Sequence, residues 1–486
     1  MKKIISWVLC ILMLLPLAIS CSKRGGSDEK DTTVVTTEGD SALVADVPDV
    51  NMGEKTFTIV TDNWWGNILC INDDFSAEMI TGDLVQDEQF KSLQVVKERF
   101  NCFLNEANYS GPSESVSKIR ADYQAGDKAY DIYLTRGMYW QALTQEGLLH
   151  NLKSDSIEYL DFDKPWWDSK SAKEMSVLGK LYCVAGDVSL QDEYFTSCLV
   201  FNKKLFEDYK LDDPYQMVKD NNWTFETFHG LAKQLSEDVD NNGAWDENDK
   251  YGLLYQRDML NAMVMASGIT YVQKDREDKL SLSINSKQSI DVIGAAMDVL
   301  YDNCSLQVMN LSNYVVERDR MFQNNQALFS FFYMKSLESL RKMETDFGIL
   351  PVPKYSADQT EWYSEVSAWS SGYIALPMQN QGENLTWTCI FLEALGCERH
   401  KMVLPTYYDK LLTGIVARDG ESYAMLEIIF NNRRYDLGAS CNFGSLTELI
   451  YLTMTNSREI SSYLGGRSIL AKREIKEFME KIEKVE

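Results

Sequence analysis

Residues 55–66 read KTFTIVTDNWWG. The first six alternate polar and apolar side chains as a half-buried strand does, and a loop of Thr61, Asp62, Asn63, Trp64, Trp65 and Gly66 follows. Phe90, Leu93, Val96 and Phe100 then fall on one face of a helix over Asp87–Phe100. The pattern repeats: a short strand over 101–105, a helix over 113–124, a buried strand over 130–135 (YDIYLT) and a helix over 138–146. Strands alternating with helices predict an α/β lobe with a largely parallel sheet. In such sheets ligands sit beyond the carboxyl ends of the strands, which makes the loops at 61–66 and 135–140 the first candidates for a site.

Upstream, Lys2 and Lys3 precede an apolar run from Ile4 to Leu17, then Ala18, Ile19, Ser20 and Cys21. A basic start, a short apolar core and small residues at its end describe a secretory signal over 1–20. The run is shorter than the roughly 20 residues that span a bilayer. A cysteine at the cleavage point resembles a bacterial lipoprotein signal, which implies lipidation of Cys21 and anchoring to the cell membrane on its extracytoplasmic face. The family favours leucine three residues before that cysteine, where this chain has Ala18. The polar, aperiodic stretch that follows reads as a flexible tether over 21–52.

The chain has 486 residues, 45% of them hydrophobic, enough for two or three domains with their own cores. It carries 48 Lys and Arg against 73 Asp and Glu, a net charge of −25, which excludes phosphate backbones as a partner. Three histidines (His150, His229 and His400) leave little material for a multi-histidine metal site or a catalytic triad. There is no GxSxG, HExxH, Walker A or GxGxxG motif, and no catalytic residue is expected. Beyond Cys10 and Cys21 there are eight cysteines with irregular spacing, compatible with disulfides or with buried free thiols.

Further along come Gly179–Val184 (GKLYCV), Tyr194–Leu205 (YFTSCLVFNKKL) and Asn222–Phe228 (NWTFETF). Met321–Leu328 (MFQNNQAL), Phe347–Pro353 (FGILPVP) and Tyr373–Pro377 (YIALP) follow in order. Their succession resembles the extracellular solute-binding proteins of ABC importers, family 1, sugar type. That resemblance implies a two-lobed periplasmic-binding-protein-like fold of type II, with three hinge crossings expected near 187–192, 318–321 and 367–372. Lobe one is then 55–187 with 320–370, and lobe two 190–318 with 371–486. The implied protein is a monomer that captures an oligosaccharide in an interlobe cleft and delivers it to an ABC permease, without a required cofactor. The same fold with a peptide or another small solute, or a secreted glycan-active enzyme, are the alternatives.

A sugar site wants flat aromatic faces and hydrogen-bonding polar groups. Asp62, Trp64 and Trp65 on the first loop, and Arg136, Tyr139 and Trp140 on the second, supply both. By the resemblance, Glu193 and Tyr194 stand at the first crossing, Phe332 and Tyr333 on an aromatic strand, and Trp369 at the last crossing. Residues 238–249 (DVDNNGAWDEND) have the spacing of an EF-hand-like loop, so Asp238, Asp240, Asn242, the Ala244 carbonyl, Asp246 and Asp249 are candidate ligands of a structural calcium ion. Asp249 stands where a longer Glu is usual, and an Asx-rich turn is the alternative.

Overall fold

The computed structural model describes residues 43–63, 75, 79–411, 420–455 and 458–485. Cys21, the expected signal over 1–20 and most of the expected tether lie outside these residues, as do Trp64 and Trp65. In chain order the first strands are β1 (Lys55–Asp62), β2 (Cys102–Tyr109), β3 (Ile132–Arg136), β4 (Ser197–Asn202), β5 (Ser236–Glu237), β6 (Lys250–Tyr255) and β7 (Val272–Lys274). Then come β8 (Leu280–Leu282), β9 (Ser305–Gln307), β10 (Ala327–Tyr333), β11 (Phe347–Leu350), β12 (Ser364–Glu365), β13 (Gly372–Ala375) and β14 (Arg433–Arg434).

Two large sheets hold ten of them, and β7 pairs with β8 and β12 with β14. The first runs β13-β3-β1-β2, and the second β11-β4-β10-β6-β5 with β9 beside β6. In the first, β1 lies parallel to β2 and β3, and only β13 is antiparallel. In the second, β6, β9 and β10 run parallel while β4, β5 and β11 are antiparallel to their neighbours. β10 (ALFSFFY) is buried along its whole length, as a central strand covered on both faces must be.

Local chemistry sets the helix limits. Asp83 accepts hydrogen bonds from the backbone of Val85 and Gln86 and starts the helix Leu84–Phe100 three residues earlier than the apolar spacing predicts. Asn101, in the left-handed region at φ 51°, ends it. The Trp223-Thr224 pair divides its labour. Thr224 caps the helix Phe225–Ala232, while Trp223 is fully buried and donates its indole N–H to the Pro351 carbonyl.

Two expectations are corrected here. The tether does not stay free to residue 52, because Ala45 and Met52 are buried and the Met52 N–H bonds to the Phe100 carbonyl at 2.7 Å. Nor do 320–370 belong with the first sheet, since β10 and β11 pair with β4 in the second, and β13, placed in lobe two, is an edge of the first. A crossing at 318–321 is therefore absent: the helix Tyr314–Gln323 runs from β9 to β10 within one sheet. The chain passes between sheets along 187–196 and 366–371, and these two segments bridge at Thr196 and Val366. It changes sides again between the helix Glu383–Leu411, packed on Leu84–Phe100, and the helix Gly420–Asn431, packed on β11.

The seven described cysteines of the body are free and buried, and burial pushes the Cys102 thiol up to about 11. Inside the helix Glu383–Leu411, Glu393 is 2% exposed and accepts the Trp167 indole N–H at 2.7 Å. Burial raises its carboxyl from 4.5 to about 7. The folded state thus holds that proton more tightly than the unfolded chain, and stability falls as pH rises from about 4.5 to about 7, by up to about 3 kcal/mol. Glu393→Gln should flatten that part of the slope in urea midpoints taken at pH 4.5, 6 and 8.

Candidate functional site

The carboxyl ends of β1 and β3 bring Asp62 and Arg136 together, both almost fully buried. Two guanidinium N–H groups of Arg136 reach Asp62 Oδ1 at 3.1 Å, and a third nitrogen donates to Gln191 Oε1 on the first crossing and to the Ser370 carbonyl on the second. One side chain therefore joins the rim of the first sheet to both connecting segments. The approach is close. A Cβ on Gly137 would stand 2.6 Å from the Ala368 carbonyl oxygen, so only glycine lets the second crossing pass there.

The second sheet presents the carboxyl end of β10 to the same segments. Ser197, at the start of β4, pairs with Tyr333, and the Phe195 ring lies edge-on to Tyr333 at 6.0 Å. Strand alternation separates Phe332 from Tyr333. Phe332 is buried under the Arg318 guanidinium at 3.9 Å, whereas Tyr333 stands beside Ser367 of the second crossing and Glu365 of β12 just before it. Glu365 is buried, and that burial, with Asp258 and Asp436 nearby, pushes its carboxyl well above the ordinary carboxylate range.

Several buried polar atoms on these elements have no hydrogen-bond partner: Asp62 Oδ2, Glu365 Oε2 and Trp369 Nε1. Buried polar groups are nearly always satisfied, and each orphan costs about 1–3 kcal/mol. They lie at the end of β1, on β12 and on the second crossing.

A profile of the bacterial extracellular solute-binding proteins matches residues 105–360. The chain belongs to that family. No curated protein matches it by sequence. Among solved structures it resembles a cyclo/maltodextrin-binding protein complexed with maltotetraose, at 14% identity and TM-score 0.56, covering 87% of this chain and 99% of that one. It also resembles UgpB from Mycobacterium tuberculosis in complex with glycerophosphocholine, at 13% identity and TM-score 0.56, covering 88% and 99%. A third is the ABC substrate-binding protein Lmo0181 from Listeria monocytogenes in complex with cycloalternan, at 14% identity and TM-score 0.51, covering 89% and 98%. The fold is thus the two-lobed type II architecture, with one of the two large sheets in each lobe.

On this solute-binding fold the candidate residues separate. Asp62 and Arg136 stand at the rim of the first sheet, Tyr333 at the carboxyl end of β10 and Trp369 on the second crossing. Tyr139 joins them: it is half-buried, and burial and the Asp62 carboxylate raise its phenol. Trp140 does not, because it is fully buried, donates to Ser440 Oγ at 2.8 Å and packs edge-on against Phe478. Phe332 is likewise core. Tyr194 is buried against Tyr407, with the Lys335 ammonium 4.4 Å above its ring. Glu193 turns to the far side of the crossing, where Arg433 donates to it. Glu365 escaped the sequence reading. Its signal was an acid inside an aromatic run, Trp362-Tyr363-Ser364-Glu365, just ahead of the crossing.

In the 238–249 loop, carboxylate oxygens of Asp238, Asp240 and Asp249 lie within 4.8 Å of one another, and Asp238 Oδ1 is buried without a partner. Asp246 stands outside that convergence, and Asn242 and Asp246 accept the Ala244 and Asn248 N–H groups. Asp249 accepts two backbone N–H groups, from Val239 and Asp246. Three carboxylates of the six candidate ligands thus converge, and oxygen donors are what a hard cation takes.

Proposed function

We propose that this solute-binding protein captures a carbohydrate, an oligosaccharide, between its two lobes and delivers it to the permease of an ABC importer. The observation that carries the reading is the set of buried, unpartnered polar atoms beside aromatic faces where the strand ends meet. Hydroxyl groups can both donate to carboxyl oxygens and accept from an indole N–H, and sugar C–H faces stack on tryptophan and tyrosine. The buried cation of the rim, Arg136, is already committed to Asp62, Gln191 and Ser370, which disfavours an anionic cargo. The protein acts as a monomer held to the outer face of the cell membrane through Cys21, and its work is binding, with no bond made or broken.

Maltotetraose and cycloalternan, the ligands of two structural neighbours, are the first probes. At about 100 times its dissociation constant a true ligand adds about 2.7 kcal/mol, visible as a raised melting temperature, and is recovered intact. Stabilisation by peptides and by no mono- or oligosaccharide would overturn the reading, and cleavage of the bound glycan would replace it with an enzyme.

The loop over 238–249 is proposed to hold a structural calcium ion through Asp238, Asp240 and Asp249. Asn242, the Ala244 carbonyl and Asp246 complete the set once the ion draws them in. Chelation with EGTA should lower the melting temperature by a few degrees and calcium should restore it, whereas an unchanged melting curve removes the ion.

A further inference from the structure

Behind the first crossing lies a second cavity, of about 220 Å³, between the loop before Ser169–Glu174, the segment 186–193, and the facing ends of the helices Glu383–Leu411 and Gly420–Asn431. Gln191 points from the crossing to Arg136, whereas Asp187, Asp192 and Glu193 point into this cavity. Trp167, Tyr408 and Phe430 form its aromatic walls, the last two edge-on at 5.0 Å.

Four acids line it, Asp168, Asp187, Asp192 and Glu193, against two cations, Lys170 and Arg433. Asp168, Asp192 and Glu193 all gather on one cation, Arg433, with the Asp168 contact at 2.8 Å and the Asp192 contact at 3.2 Å. The Tyr435 hydroxyl lies 2.9 Å from Asp168 and from Asp192. Asp187 has His400 at 2.6 Å, and the Lys170 ammonium at the mouth is engaged by the Asn431 carbonyl. Glu193 is 1% exposed and its second oxygen, Oε2, has no hydrogen-bond partner. Burial, with Glu193 beside it, pushes the Asp192 carboxyl well above its ordinary range.

We propose that this cavity is a second ligand site, separate from the interlobe cleft, which takes a small organic ammonium ion on Glu193 Oε2 between the faces of Trp167, Tyr408 and Phe430. An ammonium group supplies the missing N–H donor and positive charge, and aromatic faces attract a cation that a carboxylate anchors. The volume exceeds the about 150 Å³ that holds a benzene ring, so a short alkylamine fits.

The test is melting of the full chain in propylammonium chloride and 1,4-diaminobutane dihydrochloride against sodium chloride at equal ionic strength. We expect a saturable rise with the amines beyond that with sodium. Glu193→Gln keeps the oxygen that Arg433 uses and should weaken apparent amine affinity at least about tenfold, the loss of about 1.4 kcal/mol. Glu365→Gln, in the cleft, should leave the amine effect unchanged. Equal shifts in all salts, a shift that survives Glu193→Gln, or one lost only with Glu365→Gln overturns the site. Should Glu193→Gln unfold, Phe430→Leu removes one ring without touching a charge, and unaltered amine affinity in that variant also overturns it.

Discussion

Arg136→Met should cost about 3–5 kcal/mol, the largest single loss of stability expected outside the hydrophobic core. The substitution keeps most of the side chain's bulk and removes its charge, leaving the Asp62 carboxylate buried with no counter-ion. Gln191 Oε1 and the Ser370 carbonyl lose a donor at the same time. The decisive comparison is Asp62→Asn combined with Arg136→Met, measured by urea unfolding. Deleting the orphaned charge should recover more than half of the loss, because a buried pair is worth little against neutral groups of similar shape. A double variant no more stable than the single one would show that Arg136 acts through packing alone.

The second large effect concerns binding. Trp369→Ala should weaken oligosaccharide affinity by about 30-fold, the roughly 2 kcal/mol that a central aromatic anchor contributes. Its ring sits on the segment between the lobes and its indole N–H is unpartnered, so removing it strands no protein group and should move the unliganded melting temperature little. Trp140→Phe is the contrast. It breaks the hydrogen bond to Ser440 inside the core and should lower stability by about 1 kcal/mol while leaving sugar affinity unchanged. Titration calorimetry on both variants decides between an anchor and a packing residue, and equal affinity in wild type and Trp369→Ala would remove Trp369 from the site.

These two tryptophans show where sequence stops informing. Both stand on segments where a ligand contact is expected, yet the helix Trp140–Gln145 begins at the first and rolls it inward, while the second lies on an irregular crossing. Apolar periodicity located β1, β3 and the helices between them, because it reports which face of an element is covered. It carries no record of which element does the covering. That is why β10 and β11 could be placed in the wrong lobe: an all-apolar strand fits the middle of either sheet. Glu193 failed for the same reason. Its partner Arg433 is 240 residues away, and no local pattern links an acid at a crossing to an arginine that far along the chain. The ordered family motifs captured the architecture, whereas ownership of each polar contact had to come from three-dimensional pairing.

The bridge between Thr196 and Val366 has a mechanical consequence. Two connectors laced together by backbone hydrogen bonds, including Ser367 N–H to the Phe195 carbonyl, cannot flex independently. A swing of one half against the other would bend these two connectors together, and displacement then grows in proportion to the distance from them. Reporter labels on the outer tips of the halves would register a wide excursion, and a pair fixed near residues 196 and 366 would barely move.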